Sequence, residues 1–252
     1  MYDPMLLSVV IPTFQQAHRL RQTIAGIRAL ERVLPYPIEI LISDAGSTDG
    51  TPELCEEAGL RVLRVEGGIG CAIRTGMLSA VGIYRILIDD AWSIPPEQLQ
   101  MLLPPVQTGF DITIASRYVS GAVRLNEPLA SYAMGRMFNR VVQTLVLPGL
   151  SDTQLGYKCF RAEAARALFS RTREDNSAIH VEVLALAQMF GLNIVEVPVD
   201  WTFQPLQRIS VLLDGPAMMT ALVRIRTRLS AGRYAPLQMG HAPEHEAPVW
   251  GL

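Results

Sequence analysis

The chain has 252 residues, 49% hydrophobic and 18% charged, with 22 Lys and Arg against 24 Asp and Glu, a formal charge of −2. That length suits one large domain with a substantial core, or one domain with a modest appendage, and so apolar a composition excludes global disorder. A near-neutral balance argues against a nucleic-acid binder, which carries a basic excess.

The N-terminus lacks a basic segment, and its apolar run over residues 6–11 is broken by Ser8. It reads as a buried strand ended by Pro12, too short for a signal peptide or a membrane span. Residues 17–30 carry Leu20, Ile24, Ile27 and Leu30 at the spacing of an amphipathic helix. A second apolar run covers 38–42 and meets a turn cluster, Asp44-Ala45-Gly46-Ser47-Thr48-Asp49-Gly50. Thr51-Pro52-Glu53 opens a helix, with proline in its first turn. Strand 60–65, helix 71–80 and strand 84–88 follow, the last running into Asp89-Asp90. A short helix opens at Pro95-Pro96-Glu97, and a fifth strand covers 111–115.

Strands separated by helical stretches predict βαβ units and an α/β fold with a mostly parallel sheet, helices on both faces. Ligands of such sheets sit beyond the carboxyl ends of the strands. The polar clusters at 13–16, 44–49, 89–90 and 116–118 all fall at those ends, which points to a nucleotide-type site. The second half reads as helix 136–147, a polar loop and short strand over 151–160, helices 162–169 and 178–190, and strand 192–199. A helix over 216–229 then turns the stripe Met218, Leu222, Ile225 and Leu229 to the core, with Arg224, Arg226 and Arg228 beside it. Composition from residue 231 predicts a flexible tail. Three scattered cysteines, Cys55, Cys71 and Cys159, form no CxxC pair and point to a reducing, cytoplasmic setting.

Leu7-Ser8-Val9-Val10-Ile11-Pro12-Thr13-Phe14 with Asp44-Ala45-Gly46-Ser47-Thr48-Asp49-Gly50-Thr51 resembles a GT-A glycosyltransferase of the family 2 type. Gly68-Ile69-Gly70-Cys71-Ala72-Ile73-Arg74-Thr75-Gly76 is similar to that family's GxGxAxxxG segment, and Ala115-Ser116-Arg117-Tyr118 to its GSRY. Ser151-Asp152-Thr153-Gln154-Leu155-Gly156-Tyr157-Lys158 and Glu196-Val197-Pro198-Val199-Asp200-Trp201 resemble motifs of the branch that glycosylates dolichyl and polyprenyl phosphates. The resemblance implies one GT-A domain over 1–230, with a nucleotide half to about 118 and an acceptor half from 119. It implies inverting transfer of a hexose from a UDP- or GDP-sugar to a polyprenyl phosphate, with peripheral membrane contact at the cytoplasmic face.

Site roles follow from the same resemblance. Pro12, Thr13 and Phe14 flank the base, Asp44 accepts from the nucleoside, and Gln16, Gly46, Ser47, Gly70 and Arg74 belong to the nucleotide-sugar site. Asp89 takes the first place of the DxD motif that holds Mg²⁺ or Mn²⁺, with Asp90 as its partner. Arg117, Lys158 and Arg208 meet the acceptor phosphate, and Asp152 orients the donor sugar or the arginines. Three positions depart from the family. Ala91 stands where the second metal acid belongs, Gln16 replaces a Glu, and Ser131 replaces an Arg that would hold the acceptor phosphate. These departures also admit a degenerate, non-catalytic binding subunit. A nicotinamide-dinucleotide reading of Gly68-x-Gly70 is disfavoured by Ile73 at the third glycine position. His18 and His180 have no ligand partner at metal spacing and read as structural or exposed. His241 and His245 share the predicted tail with Pro243.

Overall fold

The computed structural model describes residues 6–89, 92–103, 109–204 and 211–236, the side chains of 211–214 aside. Its strands are β1 (Leu7–Thr13), β2 (Ile38–Asp44), β3 (Arg61–Arg64), β4 (Tyr84–Ile88), β5 (Ile112–Ser116), β6 (Val123–Leu125), β7 (Tyr157–Arg161), β8 (Ile194–Pro198) and β9 (Asp200–Thr202). The helices are α1 (Leu20–Val33), α2 (Thr51–Glu57), α3 (Ile69–Ser79), α4 (Leu129–Leu145), α5 (Ala162–Phe169), α6 (Ile179–Met189) and α7 (Val211–Ser230).

Seven strands form one sheet in the order β3-β2-β1-β4-β7-β5-β8, and β6 pairs with β9 in a small second sheet. Alternation along β1 feeds both faces: Leu7, Val9 and Ile11 join one buried cluster with Ile27 and Leu30 of α1, while Val10 joins the other with Ile73 and Met77 of α3. β4 and β5 are covered on both faces, and every residue in them is buried, Arg85 and Thr113 included. At the edge, β3 instead exposes Arg61 and Arg64, charges that discourage pairing with another chain.

β7 is the exception to the parallel rule, lying antiparallel between β4 and β5. The other six strands run one way and deliver their carboxyl ends to one rim. Because β7 runs against them, its entry, the loop 151–156, arrives at that same rim.

Several boundaries differ from the sequence reading. Pro12 does not end β1: the strand continues to Thr13 beside β2, while its ladder with β4 stops at Val10. α4 begins at Leu129, seven residues early by sequence, because its first two turns are largely solvent-facing and lack an apolar stripe. The predicted helix after Pro95 is a 3₁₀ turn, Pro96–Leu102, and β6, three exposed residues long, is too short to show a period in the sequence. α7 starts at Val211, ahead of Pro216. Its Leu222 and Ile225 are fully buried and Met218 and Leu229 pack on the core, as the stripe predicted.

The ordered domain extends beyond residue 230. The buried Tyr234 hydroxyl donates to Glu182 at 2.6 Å, and the Arg171 guanidinium donates to the carbonyls of Ala235 and Pro236. His241 and His245 lie outside the described residues.

Candidate active site

At the β1–β2 end of the rim, Asp44 organises the turn that follows it. Its Oδ1 accepts the amides of Gly46 and Ser47 at 3.1 and 2.7 Å, and its Oδ2 the hydroxyls of Thr13 and Ser47 at 2.8 and 2.6 Å. Four donors from its own chain engage this buried carboxylate, so Asp44 shapes the loop that a nucleoside would meet. Gly46 has φ +83°, a left-handed conformation that Gly adopts without steric cost. The loop after β1 is laced to this turn by Gln15 N–H to Ser47 Oγ at 2.8 Å and Gln16 N–H to Thr51 Oγ1 at 2.9 Å. Pro12 and Thr13 are buried, whereas Phe14 is 52% exposed at the mouth of this loop.

Asp89 leaves the end of β4 near the middle of the rim. Its amide donates to the Gly156 carbonyl at 2.9 Å, and a Cβ on Gly156 would sit 2.5 Å from the Asp89 carbonyl oxygen. Only glycine allows the loop before β7 to approach so closely. The Asp89 carboxylate meets His180 of α6, with Oδ2 2.7 Å from Nε2. Burial, then the positive charge of Lys158, pushes the His180 imidazole below its usual value against the pull of Asp89. A neutral ring donates from Nε2 to the carboxylate, leaving Nδ1 as a buried acceptor without a hydrogen-bond partner. Asp90 and Ala91 lie outside the described residues.

Lys158 is fully buried, and its ammonium donates to the Leu155 carbonyl at 2.5 Å. It underlies the site, so its charge acts through Asp152 and Asp89 rather than by touching an acceptor. Burial pushes its ammonium down to about 8, against the pull of those two carboxylates. The folded state therefore binds fewer protons than the unfolded chain between about pH 8 and 10, and stability should rise with pH there. The gain should approach about 3 kcal/mol. Urea midpoints of the wild type and Lys158→Met across pH 7–10 check this: only the wild type should show the rise, and parallel profiles would refute it.

Arg117, just past β5, forms a bidentate pair with the buried Asp152, Nε to Oδ2 at 2.7 Å and Nη2 to Oδ1 at 3.0 Å. Burial pushes the Asp152 carboxyl up, but the charge and hydrogen bonds of Arg117 outweigh it and hold the group below the usual carboxylate range. The guanidinium carbon lies 4.9 Å from the Trp201 ring centroid, and Trp201 is buried, in agreement with a packing role. Arg208 lies outside the described residues.

The glycines at the start of α3 pack against the backbone of residues 174–176. A Cβ at Gly68 would meet the Asp175 carbonyl oxygen at 2.1 Å, and one at Gly70 would meet Glu174 and Asp175 backbone at 2.6 Å. Arg74 is bound to that same segment, donating to Thr172 Oγ1, Asp175 Oδ1 and the Glu174 carbonyl at 3.0–3.1 Å. The segment is tied to α7 in turn, since buried Glu174 accepts from Arg224 and Arg228.

Asp44, Asp89 and Arg117 thus follow β2, β4 and β5 on one rim. Each successive pair is separated by two strand spacings, about 10 Å. The sequence reading missed His180, which lies 91 residues from its partner Asp89, and no local pattern encodes that pairing. Among the described residues no group of three His, Cys, Asp or Glu side chains clusters as a ready cation cage. Asp89 nonetheless offers a carboxylate there, its Oδ2 held by the Nε2–H of His180 at 2.7 Å. One or two protein ligands suffice where substrate phosphates and water complete a divalent ion's shell.

An α/β sheet with its acids and arginines on one carboxyl rim defines a nucleotide-sugar-transferase type of fold. The chain is a member of glycosyl transferase family 2, whose family model matches residues 8–169. It is 31% identical over 219 residues to a human dolichyl-phosphate beta-glucosyltransferase, covering 78% of this chain and 67% of that protein. The Dictyostelium discoideum dolichyl-phosphate beta-glucosyltransferase is 28% identical over 250 residues, 91% of this chain and 76% of its own length. Among solved structures, glucosyl-3-phosphoglycerate synthase from Mycobacterium tuberculosis in complex with UDP superposes with a TM-score of 0.67 at 17% identity. That match covers 88% of this chain and 80% of the other, and the same enzyme is also known in complex with Mn²⁺. The likeness confirms the GT-A fold.

Proposed function

We propose that this hexosyltransferase moves a sugar, with inversion, from a UDP- or GDP-sugar to a polyprenyl phosphate. The observation that carries the reading is the shared rim, with Asp89 midway between the Asp44 loop and Arg117. A lipid phosphate is already an oxyanion, so no strong general base is required and catalysis is positioning and charge compensation. The Asp44 turn and exposed Phe14 receive the nucleoside, and Asp152 fixes the Arg117 guanidinium beside the path of transfer. Asp89 and Asp90 would hold Mn²⁺ or Mg²⁺, with His180 orienting the Asp89 carboxylate, and the ion when bound would neutralise charge building on the diphosphate. The relatives' dolichyl-phosphate chemistry supports a lipid-linked acceptor. The lipid-linked acceptor would be met by peripheral contact at the cytoplasmic face of the bilayer; none of the described helices is long and apolar enough to cross a membrane.

Thermal unfolding with Mn²⁺ and UDP or GDP tests the donor half. One nucleotide at a hundredfold excess over its Kd should raise the Tm by about 5–10 °C. Ala91, Gln16 and Ser131 favour the second reading, a non-catalytic binding subunit, and no shift with either nucleotide would select it.

A further inference from the structure

Around Tyr118, just beyond β5, the structure gathers three guanidiniums. The guanidinium carbons of Arg136, Arg117 and Arg124 lie 4.6, 5.2 and 5.4 Å from the centroid of that one ring. Arg124 also stacks on Tyr132 at 4.1 Å, and the two tyrosine rings lie 6.1 Å apart. The elements explain the meeting: Arg124 comes from β6, whereas Tyr132 and Arg136 are four residues apart on one face of α4.

These three cations are not balanced locally. Asp152 takes Arg117, and Glu127 approaches Arg124 at 3.5 Å. Arg136 makes no ion pair among the described residues; its Nη1 donates to the Ser151 carbonyl at 3.3 Å. Burial pushes the Glu127 carboxyl up against the pull of Arg117 and Arg124. A second observation is independent of charge. The Tyr118 hydroxyl is buried without a hydrogen-bond partner, and it fits against α4 because Gly135, whose Cβ would stand 3.1 Å away, has none. Three guanidiniums gathered on one ring suit an oxyanion, since arginine forks match phosphate oxygens in pairs.

We propose that Arg124 and Arg136, arrayed with Arg117 on Tyr118 and Tyr132, bind the phosphate monoester of the acceptor. The proposal rests on the transferase reading above and assigns its acceptor end. A lipid headgroup and a small soluble phosphoester present the same dianion, so both serve as probes.

Titration calorimetry with micellar farnesyl phosphate, 3-phosphoglycerate and UDP on the wild type, Arg124→Ala/Arg136→Ala and Arg136→Lys tests it. The double variant should lose about 100-fold in affinity for farnesyl phosphate, since each charged hydrogen-bonding partner contributes about tenfold. Arg136→Lys should recover part of that loss, and the UDP affinity should stay within twofold throughout. An equal loss for 3-phosphoglycerate with no farnesyl phosphate binding supports the same site with a soluble acceptor. Unchanged phosphate affinity in the double variant, parallel loss of UDP binding, or a wild type that binds neither phosphate would overturn the assignment. A wild type that binds no UDP or GDP, yet holds farnesyl phosphate through these arginines, would sink the transferase reading and leave the phosphate site standing.

Discussion

Asp89→Asn should lower sugar transfer roughly 1,000-fold, the scale of losing about 4 kcal/mol of charge stabilisation. The amide keeps an acceptor oxygen for the Nε2 of His180, so the variant removes charge while preserving a hydrogen bond that is 2.7 Å long in the wild type. Asp89→Ala is the harsher change, because it strands a donor on a buried imidazole and should also cost about 1–3 kcal/mol of stability. Comparing the two separates chemistry from folding. Nucleotide affinity measured with and without Mn²⁺ supplies the readout: the Mn²⁺-dependent part should vanish in both variants. Full Mn²⁺-dependent affinity in Asp89→Asn would remove Asp89 from the proposed site.

Asp152→Ala should destabilise the fold by about 3–5 kcal/mol, the usual consequence of leaving one member of a buried ion pair alone. The carboxylate accepts the Arg117 side chain at two atoms and the Arg117 amide at 3.1 Å. It also accepts the amides of Gln154 and Leu155 at 3.2 and 3.3 Å, holding the loop that leads into β7. Its own amide is in turn held by Glu196 of β8 at 3.0 Å. Losing Asp152 therefore frees a guanidinium stacked on Trp201 and loosens the loop whose Gly156 abuts Asp89. Urea unfolding of the purified variant measures the loss. Asp152→Asn should fall between wild type and alanine, because an amide keeps one acceptor but not the charge. A stability within about 0.5 kcal/mol of wild type in Asp152→Ala would show the pair to be incidental.

The Asp44 turn of the candidate site was legible because its parts are contiguous. Asp44, Gly46, Ser47 and Asp49 occupy six successive positions, and one turn brings them together; Thr13 joins from the neighbouring strand through a single parallel pairing with Asp44. Asp89 was legible from its place after an apolar run. Arg117 and Asp152 were named from their motifs, but the meeting of Arg124 and Arg136 with Tyr118 was not, since those residues converge from β5, β6 and α4. Gly68 and Gly70 teach the opposite caution. Their spacing resembles a phosphate-binding motif, yet in space they leave room for the backbone of residues 174–176.

From the chain alone came the alternation of buried strands and amphipathic helices, the carboxyl rim and the acids that end β2 and β4, because each is written in near neighbours. Only the tertiary structure decided that β7 would run backwards between β4 and β5, and that His180 would close on Asp89. It alone gathered Arg124 and Arg136 around Tyr118. Pairings between residues dozens of positions apart are set by which surfaces bury one another, and such choices leave no period in the sequence.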